Sequence, residues 1–351
     1  MGKNLVTLIA WLSVIFALLA ACNSPSAEPA STPPLKASVV IDAGSENDRS
    51  FNQYTLAGAR QAAEEVGLDF DFFSPQSTSD YEASVERAVN EGADLVITVG
   101  FRMGDATAKA AQRHPKVHFA IVDNAYFPGF GCPDTAADCY TDEGGLGNVT
   151  SLMFAEDEVG YLAGVLAGCM SQTGAIASIA GMEIPPVVRF VTGFQNGARS
   201  VRADIVTLNQ YIPDFNDPAT GKVVAQDFIS QGADVIFGAG GNTGNGGLLA
   251  AYEAGLMAIG VDVDQYFTYP EVQSALLSSA SKNVDVAAAG AVKDFAAGQL
   301  ANGIRLATLA NNGVGLAPYH DWGNDIPQHC KDMVKAVEET IKADPTITGA
   351  K

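Results

Sequence analysis

The residues best suited to chemistry begin within 37–52. The apolar run Val39 to Ile41 ends in a carboxylate, Asp42, and a glycine-containing turn follows. Ser50-Phe51-Asn52 then opens a segment with Leu56, Ala59, Ala63 and Val66 at helical spacing. A carboxylate can accept from hydroxyls, a ring can stack, and an amide can read the edge of a base, so the set suits a neutral ribosylated base. Ser50 also suits a helix N-cap and Phe51 a staple against the helix. Further candidates stand at similar junctions. Asp123 closes the apolar run 117–122. Gly260-Val261-Asp262-Val263-Asp264-Gln265 follows another apolar run. Pro185-Pro186-Val187-Val188-Arg189-Phe190 starts a helix that continues through Phe194, and Lys282-Asn283-Val284-Asp285 opens one more. The glycine-rich stretch from Gly238 to Gly244 lacks the Gly-Lys-Ser/Thr ending of a phosphate loop and suits close backbone approach to a neutral ligand.

Catalytic chemistry finds little support. His114, His118, His320 and His329 all sit outside these segments, and there is no Gly-x-Ser-x-Gly elbow. Asp262 and Asp264 are two apart on a loop, a poor geometry for paired acid–base work. The reading is a binding protein and not an enzyme, with no catalytic residue, metal or cofactor.

These residues need a frame that carries strand ends and helix starts to one place. Strand-type runs at 68–73, 95–99, 117–122, 174–179, 234–238 and 256–261 alternate with helical patterns at 81–89, 106–111, 156–170, 186–200, 221–231 and 245–254. Alternation of this kind means βαβ units around parallel sheet, with ligands at the carboxyl ends of the strands. Gly92-Ala93-Asp94-Leu95-Val96-Ile97 repeats as Gly232-Ala233-Asp234-Val235-Ile236-Phe237, 140 residues later. Two similar α/β lobes are the natural reading.

The ends of the chain set its location. Lys3 and the apolar stretch Leu5 to Ala21 form a signal peptide (residues 1–21), closing on Leu19-Ala20-Ala21-Cys22. Cysteine after Leu-Ala-Ala predicts cleavage before Cys22 and lipid on its sulfur. Residues 22–36, rich in Pro, Ser and Ala, read as a tether. The expected location is the cell membrane, lipid-anchored and facing the exterior or periplasm. About 315 residues remain, enough for two lobes. The formal charge of −20 argues against nucleic acid and against highly anionic ligands. Cys132, Cys139, Cys169 and Cys330 make an even count in an exported chain. Cys132 and Cys139 share a loop and can close it. Cys169 and Cys330 are then either a long-range pair or two buried thiols. The spacing does not suit zinc.

Taken together, the motifs resemble the basic membrane protein lipoproteins, the substrate-binding components of nucleoside ABC transporters, purine-nucleoside receptors among them. Asp42-x-Gly44-x-x-x-Asp48-x-Ser50-Phe51-Asn52-Gln53 is similar to the opening of that family. Phe154-Ala155-Glu156-Asp157-Glu158-Val159-Gly160-Tyr161-Leu162-Ala163-Gly164, Pro185 to Gly197, Gly260 to Gln265 and Ser281 to Asp285 resemble later blocks in the same order. The loop 124–145 and the tail after Gly315 depart from the pattern. The resemblance implies a type I periplasmic-binding-protein fold, two Rossmann-like lobes with a ligand cleft between them. The N-terminal lobe would hold 37–150 plus about 283–310, and the C-terminal lobe 151–282 plus about 311–351. It implies that Phe51 and Phe190 sandwich the base, with Phe194 as the alternative to Phe190. Asn52 and Asp123 would read the base edge with Asp42 nearby. Asp262, or Asp264, and Lys282 would bind the ribose beside the Gly238 backbone. The expected protein is a monomer that delivers a purine nucleoside to an ABC permease; the alternative is a sugar-binding protein or ligand sensor of the same fold.

Overall fold

The computed structural model describes residues 34–350 apart from Ala43 and Glu143. The signal-like segment, Cys22 and most of the tether lie outside the described residues. Among those described, no helix is long and apolar enough to cross a membrane.

The chain from Leu35 onward forms two six-stranded sheets. The first is built from β1 (Lys36–Val40), β2 (Asp69–Phe73), β3 (Leu95–Val99) and β4 (His118–Val122), with α1 (Phe51–Val66), α2 (Tyr81–Asn90) and α3 (Gly104–Arg113) between them. Two short strands, β5 (Phe127–Pro128) and β6 (Gly131–Cys132), lie in the loop beyond β4, and β7 (Val149–Phe154) returns to the first sheet. The chain then crosses into α4 (Glu156–Met170). It continues through β8 (Ala175–Ala180), α5 (Pro185–Val201), β9 (Val206–Tyr211), α6 (Pro218–Ser230), β10 (Val235–Ala239), α7 (Gly241–Glu253), β11 (Met257–Asp262), the single turn α8 (Gln265–Thr268) and β12 (Leu276–Lys282). A second crossing leads to α9 (Val284–Ala296), which packs on α1, and to β13 (Gly303–Ala307) at the edge of the first sheet. A third returns the chain to β14 (Val314–Leu316) and α10 (Gln328–Ala343) on the second body. The strand orders are β13-β7-β4-β3-β1-β2 and β14-β12-β11-β10-β8-β9, and every main pairing is parallel except β12 with β14. This is the expected two-lobed α/β fold, and the chain crosses between the lobes three times. The first crossing follows Phe154, slightly beyond the boundary expected at 150.

The apolar runs of β1, β3, β4, β8, β10 and β11 are buried on both faces, as parallel strands between helix layers require. The Gly-Ala-Asp repeat has a structural use. Asp94 accepts from the backbone N–H of Lys36 at 2.9 Å, at the head of β1. Asp234 accepts from the N–H groups of Gln172 and Thr173 at 2.6 and 2.9 Å, ahead of β8. In each lobe a carboxylate at the head of one strand thus anchors the start of its neighbour.

The Glu158-to-Gly164 block is a helix-packing device. A Cβ at Gly164 would collide with the carbonyl of Phe194, and one at Gly197 with that of Tyr161, so α4 and α5 approach backbone to backbone. Both disulfides are formed: Cys132–Cys139 within the loop after β4, and Cys169–Cys330, which ties α4 to α10.

Candidate functional site

A cavity lies between the two sheets, lined by both lobes. Asp42, Phe51, Asn52, Asp123, Phe190, Asp262 and Lys282 all reach it. Gly238 does not. It is buried in β10 against Gly244 and Leu248, and Ala239, Gly240 and Gly241 line the cavity in its place. Of the two pairs left open by the sequence, one member of each reaches the cavity. Phe190 faces the cavity, whereas Phe194 is fully buried and packs on Phe237. Asp262 faces it, whereas Asp264 caps α8 through the Tyr266 N–H and pairs with His320 at 2.7 Å.

The N-terminal rim is organised by two aspartates. Asp42 follows β1 and accepts from the Tyr81 hydroxyl and, at 2.8 Å, from the Arg102 guanidinium. Gly100 makes room for it: its φ is +101°, and a Cβ there would lie 2.9 Å from the Asp42 carboxylate. Asp48 is the true cap of α1. Its carboxylate accepts from the N–H groups of Ser50, Asn52 and Gln53 at 2.8–3.1 Å. Burial pushes Asp48 up to about 6 against those donors. Ser50 therefore does not cap the helix; its hydroxyl donates to Asp262 in the other lobe at 2.6 Å.

The floor of the cavity holds buried charge. Lys282, at the end of β12 and 2% exposed, donates to Asp123 at 2.5 Å and to Glu156 at 3.1 Å. Glu156 is fully buried at the start of α4 and also accepts from Arg189 on α5 at 2.7 Å. The Lys282 ammonium stands 4.9 Å from the Phe51 ring centroid, 5.0 Å from Phe154 and 5.9 Å from Phe190. Burial alone would strip its proton, but Asp123, Glu156 and Asp262 outweigh that and hold its pKa above the usual lysine value. Burial raises Asp123 to about 7, Lys282 pulling it down and Glu156 pushing it further up. Asp262 is raised as well, by burial, with Lys282 and the Ser50 hydroxyl opposing.

Asp123 and Asp262 are counterparts. Each closes the fourth strand from the outer edge of its sheet (β4 and β11), and each holds a left-handed backbone, with φ of 66° and 65°. Such strain in non-glycine residues gathers at functional sites. Oδ1 of Asn52, Oδ1 of Asp123 and Nη2 of Arg189 are buried without a protein partner. The site therefore combines aromatic faces with hydrogen-bonding capacity that the protein itself leaves unused. Its carboxylates (Asp42, Asp48, Asp123, Glu156, Asp262) outnumber its cations (Arg102, Arg189, Lys282), which disfavours a phosphorylated ligand.

Glu156, Asp48 and Arg102 were not singled out from sequence. Asp48 stands inside the Asp42–Gln53 motif, and its spacing before the helix was the available signal. Glu156 has partners 33 and 126 residues away, so local pattern could not reveal it.

A family model described as ABC transporter substrate-binding protein, PnrA-like, matches residues 35–342. The chain belongs to this family, the basic membrane proteins. An ABC transporter nucleoside-binding protein of Lactococcus lactis is 34% identical over 282 residues, covering 76% of each chain. Basic membrane protein A1 of Borrelia garinii is 29% identical over 284 residues, covering 80% of this chain and 77% of its own. The crystal structure of an ABC transporter solute-binding protein from Aeropyrum pernix superposes with a TM-score of 0.77 at 28% identity, covering 88% of this chain and 92% of that one. As a member of the basic membrane proteins, the chain is an ABC transporter substrate-binding protein, which takes a small-molecule ligand and works with a permease.

Proposed function

We propose that this basic membrane protein binds a nucleoside, with a purine preferred, in the interlobe cavity and delivers it to its permease from the outer face of a membrane, held there by lipid on Cys22. The observation that carries the reading is the placement of Phe51 and Phe190 on opposite lobes of one cavity that also holds Asp123 and Asp262. Two ring faces suit a planar base. Asn52 and Asp123 supply edge-reading groups on the same side as Phe51, and Asp262 supplies an acceptor for vicinal hydroxyls. The excess of carboxylates favours a nucleoside over a nucleotide. The nucleoside-binding relative from Lactococcus lactis supports the same class. Stacking contributes about 1–3 kcal/mol per base and a hydrogen bond to a charged group about 1.5–3 kcal/mol, so micromolar affinity is within reach.

Calorimetry with adenosine, guanosine, inosine, their free bases and pentoses tests the reading. Nucleosides should bind, and Asp262→Ala should weaken them about ten- to hundredfold, from the loss of one such bond. The free bases, which have no hydroxyls to lose, should be weakened much less, by no more than the loss of the Ser50–Asp262 contact between the lobes. If wild-type protein binds pentoses and no nucleoside, or if Asp262→Ala weakens bases and nucleosides equally, the nucleoside assignment is wrong.

A further inference from the structure

Beside the cavity, which Asp48 and Asp262 also line, the segment Asp48–Ser50 of the first lobe is held by the second lobe at five points. The Arg49 guanidinium meets the Glu271 carboxylate with both terminal nitrogens, at 2.8 and 3.1 Å. Its carbon lies 4.5 Å from the Tyr269 ring centroid. The Arg49 carbonyl accepts from the Thr268 hydroxyl at 2.7 Å, the Asp48 carbonyl accepts from the Asn245 amide at 3.2 Å, and the Ser50 hydroxyl donates to Asp262 at 2.6 Å. The receiving surface is itself fixed: Gln265 donates to Asn245 at 2.8 Å and accepts from the Val261 N–H at 2.8 Å. Arg49 holds a left-handed backbone, φ +63°, which turns its carbonyl toward the second lobe while its N–H goes to Gln53 at 3.1 Å. Arg49 is not among the residues that line the cavity, and its side chain is 39% exposed.

We infer that Arg49 is a positioning residue, a latch to Glu271 and Tyr269 that holds the lobes closed and so sets affinity and ligand residence time without touching the ligand. The inference rests on the reading of the cavity as a nucleoside site. A bond made only in the closed form raises the closed population, and apparent affinity scales with that population. The paired geometry and the cation–π contact exceed those of a lone surface ion pair, and an effect of about three- to tenfold is expected. Because the latch acts after encounter, the change falls on the off-rate.

The test compares full-length wild type, Arg49→Ala, Arg49→Glu, Glu271→Arg and the Arg49→Glu/Glu271→Arg double variant, in detergent. Inosine, adenosine and guanosine serve as probes, with off-rates by stopped flow and hydrogen exchange measured without ligand. The single variants should release nucleoside about three- to tenfold faster. They should also exchange faster at amides 120–124 and 260–264 but not along α4 and α5, and the double variant should recover toward wild type. Equal off-rates and equal exchange in Arg49→Ala, or no recovery in the double variant, overturn the latch while leaving nucleoside binding intact. If wild type binds no nucleoside, the functional reading fails, and the exchange comparison still decides the latch.

Discussion

Replacing Lys282 by Met should destabilise the protein in a pH-dependent way. The ammonium is buried against Asp123 and Glu156, with Asp262 also in its field. Removing one partner of a buried pair leaves uncompensated charge and costs about 3–5 kcal/mol. For a chain of this size that corresponds to a melting temperature lower by about 4–8 °C. The sign of the pH dependence follows from Asp123. Its pKa is raised in the folded state, to about 7 from 3.8. The folded protein therefore binds more protons than the unfolded one between those values, and this group's contribution to stability falls as pH rises from about 4 to about 7. Without the lysine the carboxyl rises further, and the loss extends above neutrality. The gap in melting temperature between wild type and Lys282→Met should be large at pH 8 and small at pH 5, where Asp123 already carries its proton. Asp48 titrates in both proteins and cancels in the difference. Adding Asp123→Asn to Lys282→Met should recover part of the loss at pH 8. Scanning calorimetry at the two pH values measures all of this. A gap that is absent at pH 8, or equal at pH 5 and 8, would refute the claim that the lysine compensates buried carboxylates.

Three further outcomes are expected. Replacing Cys169 and Cys330 together by Ser opens a loop with a sequence separation of 161, and loop entropy bounds the loss at about 5 kcal/mol; a denaturation midpoint equal to wild type would show that the link contributes nothing. Gly164→Val places a branched side chain where the α5 backbone already sits, so little soluble protein should be recovered, and a native-like melting curve would contradict the close approach of α4 and α5. Cys22→Ala should block signal processing or leave an unlipidated form, and normal processing with retention on membranes after a carbonate wash would remove the lipid anchor.

Much of the frame was legible because it is written locally. Runs such as Leu95–Val99, apolar but for Thr98, and Phe119–Val122 stand out, and the polar stops at Asp42, Asp123 and Asp262 mark where each strand opens onto the cleft. β7 and β12 escaped because their sequences are mixed. β12 reads Leu-Leu-Ser-Ser-Ala-Ser-Lys, yet it is a buried interior strand. Its serines are tolerated there because Ser278 donates to the Ala317 carbonyl at 2.8 Å and Ser279 accepts from the Gln265 N–H at 3.1 Å, contacts that only the folded chain provides. The capping role went to Asp48 and not Ser50 for a related reason. The Ser50 hydroxyl is claimed by Asp262, 212 residues away, and no local rule contains that competitor. Gly238 was placed at the ligand because glycine after a strand suggests close approach. The approach is real, but it is between β10 and α7.

The matched aspartates carry one more consequence. A frame built from two like halves presents the same acceptor from either side, and mirror-like acceptors give an incoming molecule no sense of direction. Lys282 breaks that tie. It belongs to one half and spends its proton donors on Asp123 and Glu156, while Asp262 is met by the neutral hydroxyl of Ser50. One wall is thereby a zwitterion and the other an anion facing an alcohol. Two nearly interchangeable parts are thus told apart by the one buried lysine at their junction.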